Sequence, residues 1–244
     1  MHAEPEAPAY RRLSVLVPVY NERATVGEIL RRMRRVELPG GLDLEIVVVD
    51  DGSTDGTDKV LSAMEDSTVM VLRHQANQGK GACIRTALAR AHGDLVLIQD
   101  ADLEYDPEDW PTLLAPVLKG RAQVVYGSRF LGAHQTSPYW AHLGNRLVSI
   151  AADVIYNTNL SDVQTCYKLF ARSVLDGITI ESDRFDFEPE VTAKLLRGGV
   201  RIYEVPISFA GRAQDEGRKF AARDTARALT ALVRYRFRPP DRRS

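Results

Sequence analysis

The chain has 244 residues, 44% of them hydrophobic and 27% charged, the range of one globular domain that buries a full core, which disfavours disorder and a small disulfide-stapled scaffold. Thirty-two Lys and Arg stand against 33 Asp and Glu, a formal net charge of -1, so no global field recruits nucleic acid. Cys83 and Cys166 lie far apart and offer neither a disulfide framework nor a metal-type pair, which fits a reducing, cytosolic setting.

Residues 1–12 are expected as a flexible tail; their polar opening does not resemble a secretion signal, and the longest apolar runs fall far below the roughly 20 residues that span a bilayer. Short apolar runs follow at 13–19, 44–49, 69–72, 95–98 and 124–126, and their β-branched character suits strands covered on both faces. Between them Val26, Ile29, Leu30 and Met33 recur at helical spacing, as do Cys83, Ile84, Ala87 and Leu88. Helices therefore make the crossovers of a mainly parallel sheet. After Gly127 the rhythm changes. Residues 128–137 are polar, 139–156 predict one long helix, 166–170 a strand, 190–197 a helix stopped by Gly198-Gly199, and 201–207 a closing strand. No linker, repeat or low-complexity tract divides the chain. The fold class is α/β, a single domain whose second part is built onto the edge of the first.

In an open parallel sheet, ligands gather in the crevice beyond the carboxyl ends of the strands. Three such ends carry acids: Pro18-Val19-Tyr20-Asn21-Glu22, Asp50-Asp51-Gly52-Ser53-Thr54-Asp55 and Asp100-Ala101-Asp102. The last follows a buried strand, so two carboxylates emerge together and suit Mg2+ or Mn2+, which takes one or two carboxylates and completes its shell with water and substrate phosphates. The same pair also reads as a cap for a helix beginning near Pro107. The Asp50-Asp51-Gly52-Ser53 stretch reads either as an ordinary turn or as a carboxylate that accepts hydrogen bonds from a base or ribose edge. Other classes fail on their motifs. The first turn, residues 18–24, lacks dinucleotide-type glycines, no glycine-rich loop ends in Lys-Ser or Lys-Thr, and neither His-Glu-x-x-His nor Gly-x-Ser-x-Gly occurs.

Placed in order, Val15-Leu16-Val17-Pro18-Val19-Tyr20-Asn21-Glu22, Ile46-Val47-Val48-Val49-Asp50-Asp51-Gly52-Ser53-Thr54-Asp55, Asn77-Gln78-Gly79-Lys80-Gly81, Asp100-Ala101-Asp102 and Gly127-Ser128-Arg129 resemble an inverting glycosyltransferase of family 2 with the GT-A fold. The likeness is to the dolichol-phosphate mannosyltransferase branch and its bacterial polyprenyl-phosphate relatives. It implies a Rossmann-like glycosyltransferase domain over 13–238, with a nucleotide-sugar half at 13–130, an acceptor side at 131–220 and an amphipathic helix at 221–238. By that resemblance Pro18, Tyr20, Glu22, Val49, Asp51 and Lys80 would hold the nucleotide sugar, Asp100, Ala101 and Asp102 its ribose and metal, and Arg129 its diphosphate. Glu104, where the pattern has Gln, would complete the metal site. Asn145-Arg146, residues 162–168, residues 185–190, Gly211-Arg212 and Arg218-Lys219 resemble the acceptor side, with Thr165-Cys166-Tyr167 in place of the usual Ser-Gly-Phe. Arg146 and Lys168 would then bind an acceptor phosphate, and Arg212 and Lys219 the donor phosphates.

The implied catalytic set is Asp100, Asp102 and Arg129 with Mg2+ or Mn2+, the partners a GDP- or UDP-sugar donor and a polyprenyl-phosphate lipid at a membrane surface, with no nucleic acid and room for a homo-oligomer or an integral-membrane partner. A lipid monophosphate, with a second pKa near about 6, is already an anionic nucleophile at neutral pH and needs no base. A hydroxyl acceptor would need a carboxylate base, for which Asp162, Asp183 and Glu188 are candidates. A non-catalytic nucleotide-sugar-binding subunit is the third reading. Finally, Ala226, Leu229, Leu232, Val233 and Phe237 share one side of a helical wheel, and Arg223, Arg227, Arg234 and Arg238 the other. That helix either lies on anionic lipid or packs against the sheet with its arginines in water.

Overall fold

The structure is a computed structural model and describes residues 10–132, 139–211 and 222–238. Seven strands form one sheet: β1 (Arg12–Val19), β2 (Asp43–Asp50), β3 (Val69–Arg73), β4 (Leu95–Ile98), β5 (Val124–Ser128), β6 (Lys168–Ala171) and β7 (Tyr203–Pro206), in the order β3-β2-β1-β4-β6-β5-β7. The helices are α1 (Val26–Arg35), α2 (Thr57–Ser62), α3 (Lys80–Leu88), α4 (Trp110–Leu118), α5 (Tyr139–Tyr156), α6 (Arg172–Leu175), α7 (Phe187–Arg197) and α8 (Ala222–Phe237). The strand predicted at 166–170 thus begins two residues later, and the helix predicted at 190–197 begins three residues earlier. A 3-10 turn at Pro107–Asp109, with Asp106 accepting from the Glu108 N–H at 3.1 Å, precedes α4.

β1 lies parallel between β2 and β4, and β2 parallel to β3, as short apolar strands separated by helices dictate. β6 breaks the pattern by inserting antiparallel between β4 and β5, while β5 runs parallel to β7. Burial follows this order. β4, β5 and β6 are buried along their length, whereas the edge strands β3 and β7 keep exposed positions. The main core is apolar side chains of the central strands, Leu13, Val15, Leu16, Val48, Leu97 and Val125 among them, each contributing roughly 1.5–3 kcal/mol by leaving water.

A second, smaller core has no strand in it. Val148 and Ala152 of α5, Ala193 of α7, and Ala228, Ala231, Leu232 and Tyr235 of α8 pack together, the alanines allowing close approach of the helices. This corrects the expected apolar side of the last helix. Leu232 is buried, but Val233 is 49% and Phe237 83% exposed, and the inward face is carried by Ala228, Ala231 and Tyr235 instead. Among the described residues, no helix is long and apolar enough to cross a membrane.

Candidate active site at the carboxyl ends of the strands

The loops after β1 and β2 are knitted together, because the parallel register sets Val19 beside Asp50 and their successors leave the sheet side by side. The Asp51 N–H donates to the Val19 carbonyl at 2.8 Å, the Asn21 N–H to Ser53 Oγ at 2.9 Å, the Thr54 N–H to Asn21 Oδ1 at 2.9 Å and the Glu22 N–H to Thr57 Oγ1 at 3.0 Å. Asn21 takes φ +54, a value its short polar side chain tolerates. Tyr20 is exposed beside this seam, Pro18 and Glu22 are half-buried, and Val49 is buried in the sheet.

Asp51 is buried, and its carboxylate accepts from the Gln78 N–H at 2.9 Å and the Gly79 N–H at 2.7 Å, with His74 Nδ1 2.7 Å away. His74 Nε2 in turn meets Thr86 Oγ1 at 2.9 Å. Burial and then the Asp51 charge push the neighbouring Cys83 thiol up, so it stays a neutral S–H. Asp51 therefore organises the Asn77-Gln78-Gly79-Lys80-Gly81 segment, and His74 is a partner that motif reading missed. The two glycines of that segment answer a close approach: a Cβ on Gly81 would collide with the Ser182 carbonyl, and Gly79 has φ +107. α3 is thereby pressed against the segment before α7, where the Ala82 N–H donates to the Asp183 carbonyl at 3.1 Å.

That contact aims Lys80. Its Nζ lies 2.9 Å from Asp100 Oδ1, 3.1 Å from Oδ2, and 2.9 Å from Glu188 Oε1 in the first turn of α7. Burial works against the ammonium, but Asp100 and then Glu188 outweigh it and hold the Lys80 pKa well above its ordinary value. The turn after β4 is shaped by Gln99, a buried amide that motif reading also missed. Gln99 Oε1 accepts from Tyr167 Oη at 2.6 Å and Trp110 Nε1 at 3.0 Å, while its Nε2 donates to the Asp100 carbonyl at 3.1 Å. Its signal was its place, a polar residue that ends a fully apolar strand. Beyond it, Ala101 is buried, Leu103 takes φ +63, and the Glu104 N–H donates to Asp102 Oδ1 at 3.2 Å.

Arg129 leaves β5 two residues after Gly127 and is clasped by Asp162, Nε to Oδ2 at 2.7 Å and Nη2 to Oδ1 at 2.8 Å, beside the rings of Phe130 and Phe209. Burial opposes this charge; Asp162, itself fully buried, outweighs it and raises the pKa further. Asp162 is fixed in turn by Glu204, whose carboxylate accepts from the Ser161 N–H at 2.8 Å and the Asp162 N–H at 3.1 Å. The other two candidate bases are also set against cations, Glu188 on Lys80 and the exposed Asp183 on Arg85.

The structure thus gathers Tyr20, Asp51, Lys80, Asp100, Asp102 and Arg129 along the carboxyl ends of β1, β2, β4 and β5. Arg146 is exposed on α5. Lys168, expected at an acceptor phosphate, is instead sealed in the core: its ammonium donates to the carbonyls of Val163, at 3.0 Å, and Thr165, and lies 4.5 Å from the centre of the Tyr126 ring. Burial drives its pKa down to about 8. Arg212 and Lys219 lie outside the described residues, as do 1–9 of the expected tail.

Asp100, Asp102 and Glu104 offer oxygen donors, the type that Mg2+ and Mn2+ prefer. They do not form a preassembled cage. Among the described residues, the three acid, histidine or cysteine side chains whose donor atoms all lie within 4.8 Å of one another are Asp51, His74 and Cys83, where His74 Nδ1 already meets Asp51 Oδ1 at 2.7 Å. Asp100 with Asp102 fits an ion that takes one or two carboxylates and leaves the rest of its shell to water and phosphates, whereas Glu104 is buried with its charge acting on Arg129.

A sequence profile of the family described as Glycosyl transferase family 2 matches residues 14–179. The chain is 31% identical over 214 residues to the undecaprenyl-phosphate 4-deoxy-4-formamido-L-arabinose transferase of Pseudomonas aeruginosa (strain LESB58), a match covering 86% of this chain and 61% of that protein. It is 30% identical over 205 residues to the transferase of the same name from Pseudomonas fluorescens (strain Pf0-1), covering 82% and 58%. The chain spans about three-fifths of the length of these curated relatives. Among solved structures it superposes on glucosyl-3-phosphoglycerate synthase from Mycobacterium tuberculosis in complex with phosphoglyceric acid, with a TM-score of 0.73 and 22% identity over 94% of this chain and 81% of that one. A complex of the same synthase with Mn2+, UDP and glucosyl-3-phosphoglycerate gives a TM-score of 0.71 at 21% identity. At that identity the likeness concerns the fold.

Proposed function

The chain belongs to glycosyl transferase family 2, and from that premise we propose that it carries out inverting, metal-dependent transfer of a sugar from a nucleotide-sugar donor to a polyprenyl phosphate at a membrane surface. The observation that carries the acceptor side of this reading is the commitment of Asp162, Asp183 and Glu188 to the cations Arg129, Arg85 and Lys80. Each of these carboxylates is turned onto a cation rather than toward an open acceptor position, and a phosphate monoester needs no base. The curated relatives, named for undecaprenyl phosphate, support the same acceptor.

On the donor side, the seam between the loops after β1 and β2 would receive the nucleoside, and Lys80 and Arg129 would place positive charge where the diphosphate leaves. Donors held in place before reaction stabilise such charge without reorganisation. A bound Mg2+ or Mn2+ would supply Lewis-acid stabilisation of that diphosphate, with Asp100 and Asp102 as its protein ligands. Arg146, exposed on α5, would meet the acceptor phosphate. For the membrane surface, α5 exposes Leu147, Ile150 and Val154 as well as Arg146, and α8 exposes Val233 and Phe237 as well as Arg234, an apolar and basic composition suited to anionic lipid.

The test is incubation of the full chain with labelled UDP- or GDP-sugar, Mn2+ and vesicles holding undecaprenyl phosphate. Label moving into the organic phase is expected. UDP-sugars come first, since UDP occupies the solved relative of this fold. Label found solely in water-soluble glycans would refute the lipid acceptor, and no transfer from any donor would favour a binding subunit.

A further inference from the structure

Glu188 belongs to α7, far from α3 in the chain, yet its carboxylate lies 2.9 Å from the Lys80 ammonium. The three side chains concerned are nearly enclosed, Lys80 8%, Glu188 6% and Asp100 16% exposed. In such surroundings a charge left without its partner is costly, so each change of partner must leave the others paired. Among the described residues Asp100 is paired with Lys80, and a divalent ion would compete for the same carboxylate. If a divalent ion draws Asp100 away and no second acid stands beside Lys80, a buried ammonium is stranded.

We propose that Glu188 is a positioning residue for the cation site, taking over the Lys80 ammonium so that Asp100 can turn to a divalent ion; this rests on the metal-dependent donor site proposed above. Lys80 holds the Asp100 carboxylate in its orientation before the ion is present, and Glu188 shares that ammonium from the start. The three groups together carry a net charge of -1 when all are ionised. Removing Glu188 makes this zero and leaves Asp100 as the acid that Lys80 touches among the described residues, so a divalent ion must compete harder. Removing Lys80 makes it -2 and takes the competitor away. Removing both restores -1.

The experiment is titration of Mn2+ into the full chain, followed by the electron paramagnetic resonance of free Mn2+, in the presence of UDP and then of GDP, with no sugar present. Glu188→Gln is expected to weaken Mn2+ binding at least about tenfold and Lys80→Met to tighten it by a comparable factor, the size of one unit charge removed about 6 Å from a divalent ion even under water-like screening. The double variant K80M/E188Q should return to within about twofold of the unchanged protein. A residue that merely braces the fold would not shift affinity in opposite directions. Should Lys80→Met fail to fold by circular dichroism, Glu188→Asp, which keeps the charge, is compared with Glu188→Gln, and recovery of Mn2+ affinity is expected. Equal Mn2+ affinity in Glu188→Gln and the unchanged protein, or shifts of the same sign in both single variants, would overturn the role of Glu188 while leaving the donor site standing. Absence of Mn2+ binding in the unchanged protein with either nucleotide would remove the donor-site reading and this inference together.

Discussion

The two flanks of the cleft are held by different kinds of contact. On the flank of β1 and β2, the loops are closed by single hydrogen bonds between backbone N–H groups and side-chain oxygens, as at Asn21, Thr54 and Glu22. On the flank of β4 and β5, Lys80, Asp100, Glu188, Arg129 and Asp162 are buried charges neutralised by one another. A neutral bond of the first kind contributes about 1 kcal/mol, whereas removing one member of a buried pair costs about 3–5 kcal/mol. The buried Asp51 carboxylate apart, the flank proposed to receive the nucleoside is therefore built from many small contributions. The flank proposed to meet phosphates and a cation is built from a few large ones, and its charges can exchange partners when a charged ligand enters.

That contrast is open to attack at its strongest point first. Asp162→Ala strands the Arg129 guanidinium and is expected to destabilise the fold by about 3–5 kcal/mol in urea unfolding, with most of the loss recovered when Arg129→Met is added. Asp102→Ala comes next: transfer should fall by about a hundred- to a thousandfold with little change in the melting temperature, since the loss falls on charge developing in the transition state. Equal losses of stability and transfer would mean that Asp102 is structural.

Lys168 sharpens the comparison from within the core, because it is a buried cation held by carbonyls and a ring rather than by a touching acid. Its pKa is about 8 in the folded chain, against an ordinary value of 10.5. Between these values the unfolded chain binds more protons than the folded one, so stability rises with pH across that window; below about pH 8 the group opposes folding. The gain amounts to at most about 3 kcal/mol and should be missing from Lys168→Met in unfolding curves measured between pH 7 and pH 11. The smallest effect is expected on the other flank, where Ser53→Ala removes the acceptor of the Asn21 N–H and should cost about 1 kcal/mol. A loss as large as that of Asp162→Ala would erase the distinction between the two flanks.

Residues that bear on local pattern were legible before folding was considered. The run 95–98 and the long helix 139–156 appear where predicted, since continuous apolar character and helical spacing are properties of neighbours in the chain. The acids at the strand ends could be placed at one rim for the same reason. The antiparallel entry of β6 was not legible, because strand direction depends on the route of the chain between Tyr156 and Lys168 rather than on the composition of the strand. The inward face of α8 was misjudged because α5 and α7 select small Ala228 and Ala231 and the polar-tipped Tyr235, which a hydropathy wheel undervalues against Val233 and Phe237. Lys168 was expected at an acceptor phosphate, and its burial instead depends on two carbonyls that only the folded loop supplies.

By itself the amino-acid order determined the alternation of strands and helices, the membership of family 2 and the rim on which Asp51, Asp100, Asp102 and Arg129 stand, because each follows from contacts a few residues apart or from motifs in register. Tertiary structure alone decided which charges are neutralised by which: Glu188 reaches Lys80, and Asp162 reaches Arg129, across long stretches of chain. The reason is electrostatic. A charge on a sequence carries no partner with it, and inside a folded protein it must be given one.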